Sequence, residues 1–121
     1  MTPPIDPVLV VEDSDLFREA ICRLLAERDL DVVEARDSQE AWEYLERGGR
    51  TSCIVLDLAL PRMDGRAFRA KLLDYEHYAR IPVVVFTGTA EEMHDVVAVV
   101  RKTDCDALLD TVERVVRRLQ P

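Results

Sequence analysis

No apolar run in the chain exceeds five residues, far short of the roughly 20 needed to cross a bilayer. The opening Met1-Thr2-Pro3-Pro4 has neither the basic start nor the apolar stretch of a secretory leader, so a cytoplasmic protein without membrane attachment is expected. An excess of positive charge is also missing. Sixteen basic against twenty-four acidic residues leave a net charge of -8, which repels nucleic-acid phosphates and anionic membrane surfaces and argues against direct DNA binding. Cysteines are few: Cys22, Cys53 and Cys105 are odd in number, widely spaced and set among apolar neighbours. That spacing excludes a disulfide framework or a zinc knuckle and reads as small core thiols. His77 and His94 are well separated, lack metal-ligand company and read as surface residues. Internal repeats, low-complexity tracts and interdomain linkers are absent, so the expectation is one domain over residues 8–119 behind a tail of residues 1–7.

What is present is a globular composition, 48% hydrophobic and 33% charged, too apolar for a disordered chain. Short aliphatic runs recur at Val8 to Val11, Val32-Val33, Cys53 to Leu56, Val83 to Phe86 and within Val96 to Val100. They do not alternate with polar residues, which marks strands covered on both faces, as in parallel sheets. Helical periods lie between them. Phe17, Ala20, Ile21, Leu24 and Leu25 form an inner stripe, with Arg18, Glu19, Arg23 and Glu27 outside and Ser14 or Asp15 as cap. A second helix starts near Asp37 or Ser38, turns Ala41, Trp42 and Leu45 inward and stops at Gly48-Gly49; Trp42 and Tyr44 read as packing residues. A third runs from about Arg66 to Tyr75, with Phe68, Leu72 and Tyr75 on one stripe. The last carries Leu108, Val112, Val115, Val116 and Leu119 on one face and is capped by Thr103 with Asp106.

The order βαβαβαβαβ predicts an α/β domain with right-handed crossovers and helices on both faces of a parallel sheet. One crossover is too short. Only about ten residues separate the fourth and fifth strands, so the fourth crossover helix should be short or irregular, with at most one or two turns in Ala90 to Asp95.

Ligands of open α/β sheets bind beyond the carboxyl ends of the strands. Glu12-Asp13 follows the first strand, Asp57 the third, Thr87 the fourth and Lys102 the fifth. Three carboxylates sharing one crevice repel by about 4 kcal/mol per pair at roughly 4 Å, so a cation or a proton must sit among them. A divalent metal site around a phosphoryl-accepting aspartate is the simplest reading.

These residues resemble the response-regulator receiver domains of two-component signalling. The resemblance covers Val8 to about Leu119 and rests on the acidic pair, the segment Asp57-Leu58-Ala59-Leu60-Pro61-Arg62-Met63-Asp64-Gly65, the threonine and the lysine. It implies a flavodoxin-like, doubly wound five-stranded sheet of order 2-1-3-4-5. It also implies that Asp57 accepts a phosphoryl group from a histidine kinase or histidine phosphotransfer protein. By the same resemblance Asp13 and Asp57 ligate Mg²⁺ directly, Ala59 through its backbone carbonyl and Glu12 through water, while Thr87 and Lys102 contact the phosphoryl oxygens. Ala59 and Thr89 fall where relatives tune the lifetime of that group. Such a domain assists its own phosphorylation and dephosphorylation but is not a multi-substrate turnover enzyme. It signals through altered contacts with a downstream protein, and a homodimer is compatible with it.

Three departures stand out. Thr103 follows Lys102 where the family usually has proline, Val99 stands where many relatives carry an aromatic ring, and the fourth crossover is curtailed. The altered region after Thr87 favours the alternative of a pseudo-receiver, a phosphorylation-independent interaction module, whereas the intact acid, threonine and lysine set opposes it. A haloacid-dehalogenase-type phosphatase would need an acid where Ala59 stands. A flavin or nucleotide module would want a phosphate loop where Glu12-Asp13-Ser14-Asp15 would repel the anion.

Overall fold

A computed structural model describes residues 5–89 and 92–118. Five strands, β1 (Val8–Val11), β2 (Val32–Ala35), β3 (Cys53–Leu56), β4 (Val83–Thr87) and β5 (Ala98–Arg101), form one sheet. Every pairing is parallel and the order is β2-β1-β3-β4-β5, so the chain changes direction across the sheet after β2. The aliphatic runs dictate this: the three central strands are buried at every position, which requires cover on both faces.

That cover is divided between two layers. Helices α1 (Asp15–Glu27) and α5 (Cys105–Arg118) bury Ile21, Cys22, Leu25, Leu108, Val112 and Val116 against Val8, Val10, Val55 and Phe86. Helices α2 (Ser38–Glu46) and α3 (Gly65–Leu73) bury Ala41, Leu45, Phe68 and Leu72 against Leu9, Val11, Leu56 and Val85. No described helix is long and apolar enough to cross a membrane.

Several local expectations need correction. Arg18 is buried and Ala20 exposed, the reverse of the predicted α1 faces. The α1 stripe rotates because the Arg18 guanidinium donates to the Glu12 carbonyl at 2.8 Å and pairs with Asp15 at 2.6 Å and Glu34 at 3.1 Å. Paired three ways, the charge is tolerated inside.

The predicted third helix is interrupted. It ends at Leu73, and a separate turn α4 (Glu76–Ala79) follows, with Tyr75 exposed against Trp42 rather than on the buried stripe. The start of α5 is capped by Asp104, which accepts from the Ala107 amide at 3.1 Å, and not by Thr103. Leu119, assigned to the inner face of this helix, lies outside the described residues, as do Ala90 and Glu91 of the fourth crossover.

Among the described residues 88–89 and 92–97 the β4–β5 connection has no helix, in line with its length. Met93 and Val96 of this connection, with Val99 of β5, pack onto the α2/α3 side of the core. Arg69 of α3 pins the connection: buried itself, it donates from Nη2 and Nε to the Asp95 carbonyl at 2.7 and 3.1 Å.

Candidate functional site

Four of the five strand ends, those of β1, β3, β4 and β5, deliver groups to the carboxyl edge of the sheet. The β1–β3 register matches Val11 with Leu56, and the Asp57 amide donates to the Val11 carbonyl at 3.1 Å, so Glu12 and Asp57 leave adjacent strands side by side. Ser14 then caps α1 by accepting from the Phe17 amide, which turns the chain immediately after Asp13. On the other side β4 and β5 pair Thr87 with Arg101, and the Lys102 amide donates to the Thr87 carbonyl at 2.8 Å. Lys102 thereby reaches back over the sheet end.

The loop after Asp57 is closed by Asp64 and Gly65. Asp64 caps α3 by accepting from the Ala67 amide at 2.8 Å, and the Gly65 amide donates to the Leu58 carbonyl at 3.0 Å. A Cβ at Gly65 would lie 2.4 Å from the Asp57 carbonyl oxygen and 2.7 Å from the Leu58 Cα. Only glycine lets the helix start this close to Asp57.

Glu12, Asp13 and Asp57 each present a carboxylate oxygen within 4.8 Å of the others. Glu12 and Asp57 are buried and Asp13 is exposed, so the cluster is open to solvent on the Asp13 side. The Lys102 ammonium donates to Glu12 Oε1 and, at 3.2 Å, to Asp57 Oδ2. It also lies 4.7 Å from the centre of the Phe17 ring. Burial and the adjacent Asp57 push the Glu12 carboxyl up to about 7, against the opposing pull of Lys102. Burial works against the charge on Lys102, but Glu12 and Asp57 outweigh it and hold its ammonium above the usual lysine range.

A cleft of about 430 Å³ opens beside Asp57, bordered by Ala59, Thr87, Thr89 and Lys102. Asp57 Oδ1 accepts from the Ala59 amide at 3.2 Å, and the buried Thr87 hydroxyl stands 3.4 Å from that of Thr89. The structure thus brings together Glu12, Asp13, Asp57, Ala59, Thr87 and Lys102, while His77 and His94 are exposed. Sequence reasoning missed two arginines: Arg18, which holds the Glu12 backbone, and Arg66, which borders the cleft. Arg66 had a signal, since it directly follows the Asp64-Gly65 turn that closes on Asp57.

Comparison with known proteins gives the same frame. The family model for the response regulator receiver domain matches residues 8–110. The transcriptional regulatory protein SrrA of Staphylococcus aureus is 34% identical over 89 residues, 74% of this chain but 35% of that protein. The chain therefore spans about a third of the length of the curated relatives it matches. A response regulator receiver protein from Pseudomonas putida superposes with a TM-score of 0.84 at 28% identity, covering 93% of this chain and 98% of that one. The chemotaxis protein CheY4 of Vibrio cholerae gives 0.82 at 23% identity over 93% and 99%, a likeness of fold. With a sheet of order 2-1-3-4-5, this edge of acids and lysine, and a family match across most of its length, the chain belongs to the response regulator receiver domains.

Proposed function

We propose that Asp57 accepts a phosphoryl group from a phosphohistidine of a histidine kinase or histidine phosphotransfer protein, and that the resulting acyl phosphate alters contacts with a downstream protein. The observation that carries this reading is the convergence of Glu12, Asp13, Asp57 and Lys102, from three strand ends, on one point of the sheet edge. In the transfer a carboxylate oxygen of Asp57 attacks phosphorus in line, the phosphorus–nitrogen bond breaks, and the imidazole departs with its electron pair and takes up a proton. Thr87 supplies a hydroxyl donor from the rigid end of β4, and the Ala59 amide points to the same carboxylate. Lys102 supplies positive charge beside the attacking group.

The acid cluster fits Mg²⁺. All its side-chain donors are hard oxygens, and three carboxylate oxygens lie within 4.8 Å of one another, an arrangement that a divalent cation offsets. Asp13, Asp57 and the Ala59 carbonyl would ligate the ion and Glu12 would act through water. When bound, it supplies neutralising charge for the transferred group.

The test is uptake of label from a small phosphodonor such as phosphoramidate, with Mg²⁺ or with chelator. Label on the wild type that needs Mg²⁺ and disappears in Asp57→Asn is the expected result. An unlabelled wild type in saturating Mg²⁺ would instead favour the pseudo-receiver, for which the supporting observation is that residues 88–89 and 92–97, the described part of the β4–β5 connection, form no helix.

A further inference from the structure

Three described groups hold the Lys102 ammonium, and one of them is not a carboxylate. It donates to Glu12 Oε1 and, at 3.2 Å, to Asp57 Oδ2, and it stands 4.7 Å from the centre of the Phe17 ring. Phe17 lies in the first turn of α1, four residues past Asp13, and the Ser14 hydroxyl fixes its backbone by accepting from its amide at 3.3 Å. The ring is tied to the core as well, since its centre is 5.6 Å from that of buried Phe86, the residue before Thr87 on β4. Contacts therefore run from the core through Phe86 and Phe17 to the ammonium at the sheet edge. The backbone does less to place this lysine. A proline after it would steer Lys102 toward extended conformations, whereas Thr103 imposes no such restriction.

From this arrangement we infer that Phe17 is a positioning residue for the chemistry at Asp57, acting through Lys102. The inference rests on the phosphoacceptor reading of Asp57. Glu12 and Asp57 both belong to the acid cluster that fits Mg²⁺, and Asp57 is also the group that becomes modified. Of the three partners of the ammonium, only Phe17 keeps its chemical character throughout. A cation over an aromatic face is attracted by the ring quadrupole, and the attraction grows as the pair is withdrawn from water. Lysine is long and flexible, so ordering it costs much rotamer entropy; a ring already fixed by Ser14 and Phe86 lowers that cost before the phosphodonor arrives. Positive charge held in place in advance stabilises the charge that develops on the transferred group. Leucine at position 17 would fill the core side of the site but offer the ammonium no π face.

The test compares the wild type with Phe17→Leu and Phe17→Tyr, each also in a Lys102→Ala background. The chain has two lysines, so selective ¹³C-lysine labelling gives two ε-methylene signals, and Lys71, 4.1 Å from the centre of the Trp42 ring, serves as the internal control. In metal-free protein Phe17→Leu moves the Lys102 signal downfield, out of the ring current, and leaves the Lys71 signal in place; Phe17→Tyr moves neither. With phosphoramidate and saturating Mg²⁺, the rate of labelling at Asp57 falls roughly fivefold in Phe17→Leu, the equivalent of a cation–π contact of about 1 kcal/mol at about 1.36 kcal/mol per tenfold. Phe17→Tyr recovers most of that rate, and the affinity for Mg²⁺ is the same in all three. In the Lys102→Ala background Phe17→Leu brings no further loss. A fivefold loss that persists there overturns the inference, because the ring then acts on the fold and not on the ammonium. An unmoved Lys102 signal, or equal labelling of Phe17→Leu and the wild type, also overturns it and leaves the Asp57 reading standing. A wild type that takes up no label overturns both.

Discussion

Two buried carboxylates, Glu12 and Asp57, face one ammonium, and the balance among the three decides how the site edge holds together. Lys102→Ala leaves Glu12 and Asp57 opposed without a cation. We expect a loss of about 2 kcal/mol, seen as a fall of roughly 8 °C in melting temperature at pH 8 in chelator. Adding Asp57→Asn to that variant removes the repulsion and restores part of the loss, so the double-mutant cycle yields a coupling energy of the sign expected for a shared site. Additive effects would mean that the two side chains do not communicate. At this scale the sequence was informative for a definite reason. Glu12, Asp57, Thr87 and Lys102 each follow an aliphatic run, and in a parallel sheet the run alone tells which edge the next residue reaches. Arg18 was illegible because its three acceptors come from Glu12, Asp15 and Glu34, and spacing along one helix cannot reveal partners on a neighbouring strand.

Among the elements, α3 carries the most geometric constraint. Its first residue, Gly65, touches the Asp57 and Leu58 backbone, neither of which is a flexible side chain that can step aside. Gly65→Ala is expected to cost about 1–3 kcal/mol in denaturant unfolding and to lower phosphodonor labelling of Asp57, because the loop must shift to admit a methyl group. Unchanged stability would show that the loop yields freely. β1 and β3 were legible to the residue, since each is an uninterrupted aliphatic run, while β2 runs two residues past Val32-Val33, to Ala35, and β5 ends one residue past Val100, at Arg101. The break between α3 and α4 was not, because Phe68, Leu72 and Tyr75 keep a helical spacing while Tyr75 is drawn out of the helix to the Trp42 and Tyr78 rings, at 5.3 and 5.7 Å. That the described residues of the β4–β5 connection form no helix was foreseeable from length alone, whereas the packing of Met93 and Val96 beside Val99 of β5, with Arg69 holding Asp95, depends on contacts distant in sequence.

Across the whole molecule the two-layer core has a chemical signature in its thiols. Cys22 and Cys53 are buried, and burial pushes their thiols up to about 11 and about 12, with Glu34 adding to the effect on Cys22. Both stay protonated in the fold where an exposed thiol would ionise. Stability from this source is complete below the ordinary cysteine value of 9 and is lost as pH rises from there toward 11–12, because the unfolded chain releases protons that the folded one keeps. At pH 8 a disulfide reagent should therefore modify these two cysteines far more slowly in the native protein than in the denaturant-unfolded chain; equal rates would show that the core is open. Borohydride reduction of the chain after exposure to phosphoramidate and Mg²⁺, followed by peptide mass spectrometry, tests the account most directly, since it converts an acyl phosphate to an alcohol and marks the residue that carried it. The account predicts conversion of Asp57 to homoserine and of no other acid. Conversion at Asp13 or Asp64 instead, or none under conditions where Mg²⁺ binds, would contradict it.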